Sequence, residues 1–177
     1  MITSEQQQQW QRHQQQVLGL EKWQIQGRVG FYTEHEAWPG ELNWQQNHQQ
    51  YDVRIIASLG AGSIRIFTTE GGVMLENSSD PRPHFSPDPQ ALLKQQMGWD
   101  LPIDSLRYWV RGIPSPLEKD PGKWQLDASG RLANLQQAGW SIEFDRYKPN
   151  AGIVLPGKVL MEHKDLSVKI VIRKWQI

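Results

Sequence analysis

Five histidines are the side chains best suited to acid–base or metal chemistry here, and their positions argue against both. His13, His35, His48, His84 and His163 are scattered, and none stands in a His-x-x-x-His or His-Glu-x-x-His spacing that would put two ligands on one helix face. Glu34 and Glu36 flank His35, but alternate positions on a strand, or a turn before Pro39, read as solvated. Gly60-Ala61-Gly62-Ser63 lies between two strand-like segments, whereas a phosphate-cradling loop needs a helix immediately after it. There is no Gly-x-Ser-x-Gly elbow. Cysteine is absent, which removes thiolate nucleophiles, disulfides and Cys-type zinc sites and leaves the redox compartment open. The expectation is a protein that is not an enzyme, with no catalytic residue, no metal and no cofactor.

The chemistry on offer is apolar. Nine Trp stand against four Phe and four Tyr. They either fill core volume or line and rim a ligand cavity, since the indole joins a large apolar face to one polar handle. A curled sheet with one apolar face, covered by helices that do not fill it, would enclose such a cavity. The candidate lining is Trp44, Ile55, Ile64, Ile66, Leu75, Trp124, Trp140, Ile142 and Phe144 from strands, with Leu106 and Trp109 from a plugging helix. Solid packing of the same residues has the same periodicity, so that alternative stays open.

The elements that must position them follow from hydrophobic period. Gln6 to Leu20 is Gln-rich, with Trp10, Val17 and Leu18 on one stripe, and predicts a helix over about residues 4–18 of an N-terminal segment 1–18. The period then changes to two. Trp23, Ile25, Val29 and Phe31 alternate with polar residues, and similar strands are expected at 40–46, 51–57, 63–68 and 73–76. Four prolines between Pro81 and Pro89 are expected to interrupt the sheet as a loop. Asp88-Pro89 starts a short helix closed by Gly98, and a second helix covers about 103–111 with Gly112 and Pro114 as stops; together they form a helical plug over 88–112. Strands resume at 123–127, 132–137, 140–146, 158–163 and 167–175. The prediction is a mainly β (α+β) chain: an unclosed antiparallel barrel of about eleven strands covered by about three helices.

At 177 residues this is one domain, 1–177, which buries roughly 70% of its unfolded surface. Lys and Arg balance Asp and Glu at 19 each, so the basic excess that phosphate backbones require is missing and no nucleic-acid partner is expected. No apolar run approaches the ~18 residues of a membrane span. Met1-Ile2-Thr3-Ser4-Glu5 carries no signal pattern, which suits either a cytosolic chain or one whose targeting segment has been removed.

One segment is more specific. Leu101-Pro102-Ile103-Asp104-Ser105-Leu106-Arg107-Tyr108-Trp109-Val110-Arg111-Gly112-Ile113-Pro114 resembles the signature of the LolB family, a proline-initiated helix that carries Leu and Trp and ends Gly-x-Pro. The Trp-containing Gln-rich start, Gly27-Arg28-Val29-Gly30, Ala57-Ser58-Leu59-Gly60 and the closing Ile170–Trp175 are also similar, so the resemblance extends over most of the chain. It implies a receptor that accepts acylated lipoproteins from a LolA-type periplasmic carrier into a hydrophobic, acyl-binding cavity and inserts them into outer-membrane lipid. It also implies a monomer on the periplasmic face of the outer membrane, held by an acylated N-terminal cysteine. This chain has no cysteine, so the expected form is one cut after the anchor.

Leu59 either folds back onto the barrel rim or, as the resemblance implies, protrudes to touch the membrane. One leucine contributes only about −0.3 to −0.6 kcal/mol on an insertion scale, too little to anchor a protein. The rival readings are a LolA-like carrier with the same barrel and a Trp-rich carbohydrate-binding β-module. In the latter, aromatics would form an exposed platform.

Overall fold

Alternating apolar residues broken by short polar turns produce a long antiparallel meander in the computed structural model, which describes residues 2–177. Helix α1 (Ser4–Leu18) comes first. Strands β1 (Lys22–Tyr32), β2 (Ala37–Asn47), β3 (Gln50–Ala57), β4 (Ser63–Thr69), β5 (Gly72–Asn77) and β6 (Asp80–Ser86) follow, with a 3-10 turn at Ser58–Gly60 between β3 and β4. Helices α2 (Pro89–Met97) and α3 (Ile103–Trp109) separate these from β7 (Lys123–Leu126), β8 (Leu132–Gln137) and β9 (Trp140–Asp145). A small hairpin of β10 (Lys148–Asn150) and β11 (Ile153–Leu155) stands apart, and β12 (Lys158–His163) and β13 (Leu166–Gln176) close the chain.

Eleven strands join one sheet in the order β6-β5-β4-β3-β2-β1-β13-β12-β9-β8-β7. β6 and β7 are its two ends and do not pair with each other, so the barrel is unclosed. The long first and last strands meet in the middle, β1 against β13, and weld the two halves of the meander together. Their register shifts between Gln26 and Gly27. Glycine is required there: a Cβ on Gly27 would lie 1.9 Å from the Val171 carbonyl oxygen.

The sheet departs from expectation at the prolines. Residues 80–86 form a strand, not a loop, because they lie on the sheet's edge, where a missing N–H faces solvent instead of a neighbour. Leu75 pairs with His84 and Asn77 with Asp80, so Pro81 and Pro83 fall in the irregular stretch between two regular pairs. The β10–β11 hairpin is also new, since Lys-Pro-Asn offers no alternation to read.

Helix α1 begins with a capping box: Gln6 N donates to Thr3 Oγ1 (3.1 Å) and Thr3 N to Gln6 Oε1 (3.0 Å). It buries Trp10 against Trp124, with ring centroids 5.8 Å apart, and Val17 with it. Leu18, the third member of the expected stripe, is 42% exposed. The helix ends there, and the turn through Gly19 carries Leu18 off the core. The same helix face lowers His13 towards the Tyr147 ring, and its Nε2 is buried with no hydrogen-bond partner among the described residues. Burial, aided by the charge of Arg131, holds the His13 pKa below the ordinary imidazole value. As pH falls through the ordinary histidine range, the unfolded chain therefore takes up a proton that the folded chain refuses. Stability is expected to fall with acidification in this window, and urea midpoints of His13→Gln, measured across it, are expected to show a flatter pH dependence than wild type.

Candidate functional site

Pairing register puts the sequence-predicted lining on one face of the sheet. Trp44, Val53, Ile66 and Leu75 are successive cross-strand partners from β2 to β5, and Ile55 stands opposite Ile64 in the next row. On the other half, Trp124, Leu135, Ile142, Met161 and Val168 run across β7, β8, β9, β12 and β13 to Phe31 on β1. Trp140 and Phe144 flank Ile142 at two-residue spacing and share its face. A single apolar wall thus crosses the sheet from β5 to β7, and only edge strand β6 adds no buried or partly buried apolar residue to it. Its polar handles are satisfied locally: the indole N–H of Trp44 donates to Gln46 Oε1 at 2.9 Å, and that of Trp175 to the Pro156 carbonyl at 2.8 Å.

Helices α2 and α3 lie against this wall. Apart from Trp124, which is partly buried on edge strand β7, none of the predicted lining residues, Leu106 and Trp109 included, is more than 7% exposed. A side chain bordering an open hollow would expose surface to it, so wall and helices meet here as one continuous core. The helical contribution includes residues that periodicity did not single out. Leu92 and Leu93 of α2 are buried, as are Trp99 and Leu101 in the α2–α3 link. Trp99 stacks on Phe31 at 3.7 Å with a 9° interplanar angle. The only signal for Leu92 and Leu93 was their place one turn after the Asp88-Pro89 start, and Trp99 follows a left-handed Gly98 with no period at all.

The two helices are held differently. Trp109 donates its indole N–H to Gln137 Oε1 at 2.7 Å, and the same oxygen accepts the Ser115 N–H at 2.8 Å. Gln137 Nε2 donates to the carbonyls of Ser115 (2.9 Å) and Asp120 (2.8 Å), so this buried amide ties α3 and the segment after it to β8. Arg111 donates from Nη1 to the carbonyls of Val17 and Leu20, and Ser105 Oγ to Glu118. Among the described residues helix α2 has no comparable ties. Its Asp88 cap bonds only locally, donating its N–H to the neighbouring Ser86 Oγ, Gln90 bonds Asp100 within the link, and the one side-chain bond from the helix itself to the sheet is a weak one, Asn77 Nδ2 to Met97 Sδ at 3.7 Å.

At one end of the sheet, Leu59 is fully exposed and points away from the rim. Its backbone is left-handed, at φ 58° and ψ 30°, a conformation that costs a non-glycine residue roughly 1–2 kcal/mol. The turn is fixed around it: Arg28 donates to Ser58 Oγ at 3.0 Å while pairing with Glu41, and Ala57 N donates to the Gly62 carbonyl at 2.8 Å. Ile56, next to the turn, is also exposed. An apolar side chain held outward by a strained, braced backbone points to use at a surface rather than to packing.

The pattern of the family described as outer membrane lipoprotein LolB matches residues 21–175. Outer-membrane lipoprotein LolB of Pseudomonas paraeruginosa is 41% identical over 167 residues, covering 94% of this chain and 80% of that protein. The Pseudomonas putida protein of the same name is 40% identical over 169 residues, covering 96% of this chain and 81% of that one. Among solved structures, a DUF1329 family protein from Desulfovibrio piger superposes with a TM-score of 0.59 at 8% identity, over 98% of this chain and 93% of the other. A LolA superfamily protein from Nitrosomonas europaea gives 0.53 at 9% identity, over 99% and 94%. At such identities these two structures speak for the fold alone.

Gln137 is the polar residue on which the α3 side of the site rests. Gln137→Met is expected to orphan the Trp109 and Ser115 N–H groups and cost on the order of 3 kcal/mol in urea unfolding. Hydrogen exchange is expected to speed up in α3 more than in α2.

Proposed function

This chain belongs to the LolB family, and on that footing we propose that it is an outer-membrane lipoprotein receptor, which accepts acylated lipoproteins and inserts them into the membrane. In this reading it takes cargo from a LolA-type periplasmic carrier, works as a monomer on the periplasmic face, and is attached there through an N-terminal lipid. The observation that carries the reading is an apolar wall spanning ten of the sheet's eleven strands, covered on one side by a helix with almost no polar ties. A solid structural core has no need of a cover so weakly bonded.

Magnitudes favour the exchange. Burying Leu92 and Leu93 stabilises α2 by about 3–6 kcal/mol at roughly 1.5–3 kcal/mol per side chain. An acyl chain of about 16 carbons gains on the order of 12 kcal/mol at ~0.8 kcal/mol per methylene. Relative to water, an acyl chain therefore gains more from the wall than α2 does. Acyl chains would replace Leu92, Leu93 and Met97 against Ile66, Leu75 and their row neighbours, while α3 stays fixed. The proline-rich edge strand β6, being paired to β5, is part of the frame against which α2 moves.

Leu59 serves the exit. At the strength of one leucine it disturbs lipid locally at the point of release and does not anchor the protein.

Both ideas are testable in a chain with no native cysteine. Asn77→Cys with Met97→Cys, bridged by a short bifunctional methanethiosulfonate, is expected to reduce uptake of acylated lipoprotein at least about tenfold, with recovery on reduction. Equal uptake by the bridged form would reject α2 as the moving cover. Leu59→Glu is expected to bind cargo normally but to fail in delivery to liposomes; normal insertion by that variant would remove Leu59 from the mechanism.

A further inference from the structure

A groove of about 610 Å³ opens at the opposite end of the sheet from Leu59, beyond the β2–β3 hairpin. Strand β3 separates the two, a span of roughly 25 Å at ~3.3 Å per residue. Two arginines four residues apart, Arg107 in the last turn of α3 and Arg111 just past its C-terminal end, reach this groove, and both are buried: Arg107 is 8% exposed and Arg111 4%. Neither guanidinium has a carboxylate within 4.0 Å among the described residues. Both stack on Tyr108, each 4.9 Å from the ring centroid.

Their hydrogen bonds leave capacity over. Arg111 uses Nε on the Arg107 carbonyl and Nη1 on Val17 and Leu20, with Nη2 free. Arg107 uses only Nη2, on Tyr108 Oη at 3.1 Å. Two acids lie near the pair without bridging it: Glu21, on the groove wall, is engaged with His48 at 2.8 Å, and Asp104 is partly buried, its pKa raised by desolvation against the opposing charge of Arg107. Burial, with the charge of Arg107 adding to it, pulls Arg111 down to about 10. Two buried guanidiniums side by side, neither salt-bridged to a carboxylate, are stabilised when an anion joins them.

We propose that this groove is a phosphate-binding site, in which the free N–H groups of Arg107 and Arg111 hold the oxygens of a phosphodiester. Leu18, Leu20 and Trp23 line the same groove. Leu18 and Leu20, over the buried Trp23, give the rest of a lipid headgroup, its glycerol and first methylenes, an apolar surface to lie on. Leu18 is left exposed by α1 at this place, which gives that residue a use. A tetrahedral phosphate suits two guanidiniums approaching from separate positions along the chain better than a planar carboxylate, which one fork already saturates. The site is independent of the acyl wall, so its test requires no lipoprotein.

Isothermal titration calorimetry on the whole chain, with monomeric dihexanoyl phosphatidylglycerol, inorganic phosphate, dihexanoyl glycerol and an acetylated acidic peptide as separate probes, decides the matter. Phosphatidylglycerol is expected to bind, about tenfold more weakly in Arg107→Gln, with an intermediate affinity in Arg107→Lys and no change in the exposed control Arg82→Gln. Thermal melts check that each variant is folded, and Arg107→Lys carries the test if the glutamine variant is not. Tighter binding of the phospholipid than of inorganic phosphate identifies a lipid headgroup as the source; equal binding identifies the free ion. The proposal fails if neither phosphate probe binds, if the Arg107 variants bind as wild type does, if the uncharged diacylglycerol binds as tightly as the phospholipid, or if the acidic peptide binds best.

Discussion

Everything in this molecule follows from an apolar face on a sheet that does not close. A closed barrel buries its inner face by symmetry and leaves no edge, whereas β6 and β7 remain apart here and the inner face must be covered by something else. The cover is built from the chain between those two edges: α2, the Trp99–Leu101 link and α3. Because the covering segment joins the first half-sheet to the second, its contacts with the wall decide both the stability of the fold and the accessibility of the wall. On the proposed function, one set of apolar surfaces serves as core and as ligand site.

The division of labour between the two helices follows from how they are bonded. Gln137 and Arg111 give α3 directed hydrogen bonds to β8 and to the α1–β1 corner, and such bonds are costly to break in a buried setting. Helix α2 relies on Leu92 and Leu93, whose contacts are non-directional and can be replaced by any hydrocarbon of similar volume. The interior can therefore be solid when empty of ligand and still admit one, without a preformed hollow and without a source of chemical energy.

The two ends of the sheet differ in the same physical terms. At one, a braced turn projects a leucine into solvent. At the other, buried guanidiniums with spare donors face a groove that also carries leucines and a tryptophan. As proposed, apolar protrusion and cationic recess would be complementary ways of meeting lipid, and the strands of one sheet hold them at a fixed separation.

The sequence by itself determined the local elements and much of the wall. Period-two alternation located β1, β3 to β5, β7 to β9, β12 and β13 to about a residue and β2 to within three, and Asp88-Pro89 with Gly98 marked both ends of α2, because caps and alternation depend on neighbours in the chain. Ten of the eleven predicted lining residues proved fully buried in one core for the same reason, and Trp124 partly so. What only the tertiary structure decided depends on partners far along the chain. Whether 80–86 could be a strand turned on its being an edge, and whether Gln137 was a surface residue or the anchor of α3 turned on what lay above it. That Leu59 projects instead of folding back was set by its left-handed backbone and the brace from Arg28. Whether the space inside the sheet is hollow or filled is a matter of summed volumes between helices and wall, and periodicity carries no information about volume.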